Sequence, residues 1–208
     1  MSRIKYLIPL IAVSALSLQA CIAPLVAVGA GAAVGTANSS RQGGVAQVWN
    51  DSQISSYIHD AWFKHSTSMF DKLNMTVFEG RVLITGSVQN ANDRDTAIRM
   101  AWQAPNVRQV INEIRVEPSG GVSGYTKDAW ISTQLRTKLL ADRDIQSTSI
   151  KHEVNGGNIY LIGVARDSDE LNRVLSHARN ISYVKEVVSY IRLAGSDTLP
   201  GGNGNNAR

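Results

Sequence analysis

The chain repeats itself, and no other feature limits its fold so strongly. A shift of 77 positions lays Asp51–Val116 over Asp128–Leu193 without a gap, and eleven of the 66 pairs are identical. So low an identity would mean little if the matches were scattered. Instead they include Asp51/Asp128, Ile54/Ile131, Val77/Val154, Gly80/Gly157, Gly86/Gly163, Ala101/Ala178, Val107/Val184 and Ile114/Ile191. Ile58/Leu135, Trp62/Leu139, Val82/Ile159, Ile84/Leu161 and Ala97/Val174 keep apolar character. These are core-type and turn-type positions, where a shared fold demands agreement. The body is one module written twice.

Periodicity supplies the elements of each copy. Ile54, Ile58 and Trp62 recur every four residues, as do Ile131, Leu135 and Leu139, which predicts a first helix. An alternating segment follows, Leu73–Val77 or Ile150–Val154. Next comes a turn, Glu79-Gly80 or Asn155-Gly156-Gly157-Asn158, where glycine provides the positive φ of a tight hairpin. A second strand is expected over Arg81–Ser87 and Ile159–Ala165, and Gly80, Gly86, Gly157 and Gly163 are assigned to structural turns. Asn90–Asp93 and Asp167–Glu170 offer N-caps and first-turn acids for a second helix that ends by Gln103 and Asn180. A third strand closes each copy, Val107–Val116 or Val184–Leu193.

The order αββαβ predicts an α+β fold of two tandem modules, each a three-stranded mixed sheet with two helices on one face. The crossover helix should pass right-handed. A module this small buries a marginal core, so the copies are expected to pack together or lean on a partner. The expected boundaries are 51–117 and 128–194, a Gly-rich linker over 118–127, and a disordered Gly/Asn-rich tail over 195–208.

Residues 1–20 have the pattern of a secretory signal. Arg3 and Lys5 precede an apolar stretch, Tyr6–Leu18, of about a dozen residues. It ends in Leu18-Gln19-Ala20-Cys21, and Cys21 is the only cysteine of the chain. This resembles the lipobox of bacterial lipoproteins, although Gln19 is bulkier than the usual small residue. The resemblance implies cleavage before Cys21, a diacylglycerol on its thiol and an acyl chain such as palmitate. Residues 21–50 then form a flexible Ala/Gly tether, and Ile22 in place of an aspartate implies an outer-membrane destination. An uncleaved span is the alternative, because no residue from Tyr6 to Ala37 is charged. Pro9, Pro24 and the Gly/Ala-rich second half favour cleavage.

Several function classes are poorly supplied. The net charge of +4 falls to +2 once Arg3 and Lys5 are removed. Asp51–Val116 balances 7 basic against 7 acidic residues and Asp128–Leu193 balances 9 against 8, so no phosphate-binding stripe for nucleic acid exists. His59, His65, His152 and His177 are dispersed, and no two occupy matching repeat positions. With one cysteine and scattered carboxylates, neither a catalytic constellation, a metal site nor a cofactor is expected.

A lipobox, an Ala/Gly tether and a doubled αββαβ module together resemble the dual-BON-domain lipoproteins. The sharpest local match is Asp128-Ala129-Trp130-Ile131-Ser132-Thr133-Gln134-Leu135-Arg136-Thr137-Lys138-Leu139-Leu140. The residues above give no expectation of an enzyme, and the resemblance implies a protein on the periplasmic side of the outer membrane that supports membrane integrity, in some members at the division site. It implies that this helix carries a surface for anionic phospholipid, and it leaves room for outer-membrane assembly proteins as partners.

The residues of that helix bear on the expectation independently. With Ile131 at zero, Leu135 and Leu139 fall at about 40° and 80°, whereas Trp130 falls at about −100° and Leu140 at about 180°. Thr133 and Thr137 lie between them, and Lys127, Arg136, Lys138 and Arg143 flank this second, milder apolar face. An indole prefers the headgroup layer of a bilayer and nearby cations favour an anionic surface, which makes a shallow interfacial binder. The bland alternative has Trp130 packed between the modules and the cations solvated. A protein-interaction adaptor is the rival function. The first module has Gln53 at the position of Trp130, so the modules are not expected to be equivalent. If Cys21 is the acyl acceptor, Cys21→Ala abolishes incorporation of labelled palmitate, measured by metabolic labelling and gel fluorography.

Overall fold

The computed structural model describes residues 44–118 and 125–196. The expected signal, Cys21, the expected tether up to residue 43, most of the expected linker and nearly all of the expected tail lie outside the described residues; residues 44–50, expected in the flexible tether, and 125–127, expected in the linker, are instead helical. The first module runs α1 (Gly44–His65), α2 (Thr67–Lys72), β1 (Leu73–Phe78), β2 (Arg81–Val88), α3 (Ala91–Trp102) and β3 (Gln109–Val116). The second runs α4 (Tyr125–Ala141), a 3-10 turn (Ser147–Ser149), β4 (Ile150–Asn155), β5 (Asn158–Ala165), α5 (Ser168–Arg179) and β6 (Glu186–Leu193). Each sheet is mixed: the central strand pairs antiparallel with the first and parallel with the third. The fold is the α+β tandem that the repeat predicts.

Local chemistry sets the ends of the elements. Asn90 caps α3 by accepting from the Asp93 amide at 2.9 Å, and Asp167 caps α5 by accepting from the Glu170 amide at 2.8 Å. The repeated aspartate at the head of each module has a related task. Asp51 accepts from the Glu79 and Gly80 amides, both at 2.9 Å, and Asp128 accepts from the Gly156 and Gly157 amides at 2.7 and 2.8 Å. A carboxylate on the first helix thereby pins the hairpin turn of its own sheet. The six-residue α2 was not expected from periodicity. Ser66 starts it by accepting from the Met69 amide, and Met69 buries itself in the core, while the second module has only the 3-10 turn at that place.

Two of the four turn assignments need correction. Gly80 and Gly157 lie in the hairpin turns with φ of 73° and 85°, but Gly86 and Gly163 lie inside β2 and β5. A Cβ on Gly86 would stand 2.2 Å from the Lys72 carbonyl oxygen, and one on Gly163 the same distance from the Ser149 carbonyl oxygen. These glycines are required by close approach of the backbone entering the neighbouring strand.

Each sheet is buried on both faces. Along β2, Val82 and Ile84 face the helices, whereas Leu83 joins Phe78 and Ile111 on the opposite side. Along β5, Ile159 and Leu161 alternate with Tyr160, Ile162 and Val164 in the same way. The outward sets of the two modules merge into one cluster, so the sheets pack face to face. Two-sided burial is why the central strands are continuous apolar runs instead of alternations.

Contacts across this interface obey the repeat. The Thr76 hydroxyl donates to Glu153 at 2.6 Å and the Tyr190 hydroxyl donates to Glu113, and each pair joins a residue to its own mate 77 positions on. Arg115 reaches Asn155 in the second hairpin at 2.6 Å, while its mate Arg192 reaches Glu79 in the first at 2.6 Å. Self-paired mates, and mates that each reach the other module's hairpin, mark an isologous interface. The modules pack as a two-fold pseudo-dimer within one chain.

Two outcomes follow from this packing. Gly86→Ala loses more than about 2 kcal/mol, because its φ of 119° and the Lys72 carbonyl both reject a side chain; thermal melting checks it. Burial raises the pKa of the Glu153 carboxyl, with the Thr76 hydrogen bond opposing. The folded state thus binds its proton more tightly than the unfolded state, and the ionised form weakens the fold above the folded pKa. Glu153→Gln is therefore more stable than the parent at neutral pH. That advantage closes as pH falls from the raised folded value toward the ordinary 4.5, measured by denaturant titration across pH.

Candidate functional site

Core packing decides which face of α4 is left over. Ile131 and Leu135 are fully buried and Leu139 nearly so, which fixes the helix by its inner stripe. The opposite ridge carries Trp130, 41% exposed, and Leu140, 67% exposed, values large enough to rule out burial of either between the modules. Neither belongs to the inter-sheet cluster. Thr133 and Thr137 lie on this ridge and are exposed. Their hydroxyls donate to the Ala129 and Thr133 carbonyls, each at 2.9 Å. Bonded back to the helix in this way, they no longer need water for their protons. The ridge is less polar than its residue names suggest.

The cations are arranged around it. Lys127 and Arg136 are exposed and Lys138 is half-buried. Among the described residues, none of the three forms an ion pair with a carboxylate. Lys127 instead sits with its ammonium 5.5 Å from the centre of the Tyr183 ring. Tyr183 also meets Trp130 edge-to-face, with ring centres 5.7 Å apart and planes at 74°. The structure thus brings Lys127 and Trp130 together through a third residue, and it leaves Arg136 and Leu140 further along the helix.

Tyr183 was missed by reasoning from the helix alone. It lies in the loop between α5 and β6, is 66% exposed, and has φ of 69°. Its mate in the first module is Asn106, with φ of 66°. Asparagine tolerates this left-handed conformation, and a tyrosine there is uncommon. The departure from asparagine at a shared backbone position was the available signal.

The first module has no such ridge at Gln53, but its α1 and α2 expose Phe63 and Phe70, whose rings pack edge-to-face at 5.5 Å. Trp62 is fully buried and donates its indole N–H to the Ala97 carbonyl at 3.3 Å.

The histidines remain dispersed. His59 stacks near Trp62 and Phe70, His65 ends α1, and His177 meets Asp142 at 2.8 Å. His152 Nε2 lies 2.9 Å from the Ser132 hydroxyl. Burial, reinforced by the Arg136 charge, lowers the pKa of that imidazole and keeps it neutral. Among the described residues no carboxylate bonds its second ring nitrogen, so the pair lacks the orienting member of a hydrolytic triad. No group of three histidine, cysteine or acidic side chains among the described residues is placed to hold a metal.

Comparison with known proteins agrees with the duplication. The BON domain profile matches residues 50–118 and again 127–195. An "Uncharacterized protein in gshII 5'region" of Anaplasma centrale is 35% identical over 69% of this chain and 95% of its own length. The "Outer membrane lipoprotein DolP" of Haemophilus influenzae is 30% identical over 84% of this chain and 89% of its own. The "Osmotically-inducible protein Y" of Escherichia coli is 25% identical over 69% and 72%.

Proposed function

The chain belongs to the BON-domain family, and on that premise we propose that it is a periplasm-facing outer-membrane lipoprotein whose second domain docks on anionic phospholipid through α4. The observation that carries this reading is the exposed Trp130–Leu140 ridge with three cations around it, none of them ion-paired with a carboxylate among the described residues. The anchorage rests on the Leu18–Cys21 sequence and on the similarity to a relative named as an outer-membrane lipoprotein.

The energetics suit a shallow contact. Trp130 and Leu140 would bury their exposed area among glycerol backbones and upper acyl carbons, and the indole N–H would stay at the headgroup level. Lys127, Arg136 and Lys138 would contribute about 1 kcal/mol each at an anionic surface. Neither term alone holds a domain on a bilayer. An acyl chain on Cys21 would keep the domain nearby, and a modest surface affinity would then decide its orientation. No helix among the described residues is long and apolar enough to cross a membrane. Through this docking the protein would support outer-membrane integrity, including at the division site.

Vesicle flotation of the unacylated chain tests the reading. Trp130→Glu should abolish flotation with anionic vesicles while the circular dichroism is unchanged, and raised salt should weaken wild-type binding. If wild type and Trp130→Glu float equally, the lipid assignment fails. If the mutation instead removes a cross-linked protein partner in the absence of vesicles, the ridge is an adaptor surface.

A further inference from the structure

The pseudo-two-fold relation is broken at several places, and one break has the form of a binding site. On the first module's side, Lys151 from β4 extends its ammonium to the Val77 carbonyl oxygen at 2.6 Å, in a small cleft shared with Asp51, Ser52 and Ser55. That cleft retains about 80 Å³ of space. Shifting these residues by 77 gives Asp128, Ala129, Ser132 and Val154, and the mate of Lys151 is Asn74. All five line a single cleft between α4 and β1, of about 270 Å³. Asn74 is too short to reach as Lys151 does, and the space such a side chain would fill is open.

What the closed cleft holds tells what the open one lacks. In the closed cleft an ammonium donates to an edge-strand carbonyl beside an aspartate. The open cleft presents the equivalent Val154 carbonyl and the equivalent aspartate, Asp128. That carboxylate is held by the Gly156 and Gly157 amides just as Asp51 is held by Glu79 and Gly80. The open cleft is also larger and has more charge. Lys72 and Arg115 line it together with Asp128 and Glu153, and Arg115 is also held by Glu117 at 3.2 Å and Asn155 at 2.6 Å, so charges of both signs meet there and suit a zwitterion better than a bare anion. Among the described residues no aromatic side chain lines it as a cage for a quaternary ammonium ion would.

The cleft is also placed for a lipid. It shares Ser132 and Glu153 with a second depression of about 470 Å³ that runs on past Arg136 to Leu140. Together they make a groove along one flank of α4, beside the Trp130–Leu140 ridge. Headgroups of a bilayer in which the ridge rests would stand next to this flank.

We propose that the cleft between α4 and β1 binds the primary ammonium of an aminoethyl phosphate headgroup, on the Val154 carbonyl and Asp128, with the phosphate toward Lys72 and Arg115. The ammonium site follows from the broken symmetry alone, whereas a membrane as the source of the headgroup rests on the docking reading above. The geometry adds a neutral, amine-bearing lipid to the anionic surface the ridge prefers.

Titration of the unacylated chain with soluble O-phosphoethanolamine, followed by amide chemical shifts, tests the site without a membrane. Shifts are expected at Asn74, Ser132 and Val154. O-Phosphocholine has no N–H to donate and should bind at least about tenfold more weakly. Asn74→Lys supplies the ammonium from the chain itself and should abolish binding, as Lys151 closes the mate. Equal binding of the two soluble probes by wild type overturns the proposal even if Asn74→Lys misfolds, and so does full binding by a folded Asn74→Lys. Vesicles of constant anionic content, with ethanolamine lipid replaced by choline lipid, supply the second arm. Wild-type flotation should fall on replacement and Asn74→Lys flotation should not change. Soluble binding with no vesicle effect overturns the lipid source and assigns the cleft to a free amine. Trp130→Glu separates the two readings, since it should lose flotation and keep O-phosphoethanolamine binding.

Discussion

The structure depends on the burial of one β-sheet face against another. Leu83, Ile111 and Phe78 from the first module and Tyr160, Ile162 and Val164 from the second form a core that neither module could close alone. A three-stranded sheet backed by two helices covers only one of its faces, and the other must find a partner or stay wet. Here the partner is the second copy of the same fold. The hydrogen bonds at the rim, Thr76 to Glu153 and Tyr190 to Glu113, then set the rotation between the copies. The remaining surfaces, including the outer ridge of α4, are what this packing leaves free.

The duplicated architecture has a functional corollary. When two copies bind each other symmetrically, changes in one copy at positions away from the interface carry no penalty in the other. Gln53 against Trp130 and Asn106 against Tyr183 are such divergences, whereas Asn74 against Lys151 lies at the interface itself, where Lys151 reaches the Val77 carbonyl of the first module. Gln53/Trp130 and Asn106/Tyr183 build the aromatic pair of the second module, and Asn74/Lys151 leaves a cleft open along another flank of α4. The first module keeps the scaffold and has its own exposed phenylalanine pair instead.

Much of this was legible in the sequence, for physical reasons that can be named. Helix-period residues such as Ile54, Ile58 and Trp62 face one core and nothing else, so their spacing reports the fold directly. Asn90 and Asp167 are local caps, and local chemistry shows in a local motif. Other features depend on partners distant in the chain. The identity of Asp51 and Asp128 was visible, but its purpose required knowing that each carboxylate reaches amides 28 and 29 residues on. Gly86 and Gly163 looked like turn residues because the constraint on them is an approach by another strand's backbone, which no local pattern encodes. The wheel of α4 separated Trp130 from the core stripe correctly, and Tyr183 escaped because it belongs to a loop more than fifty residues downstream.

That loop origin changes what counts as the unit of recognition. Tyr183 sits in a strained backbone conformation, and its ring braces the indole from outside the helix. A synthetic peptide copying residues 125–141 would carry the tryptophan without its brace and without the packed stripe that turns it outward. The affinity of such a peptide would describe a different object, since the exposed aromatic face exists only where helix, loop and sheet are assembled.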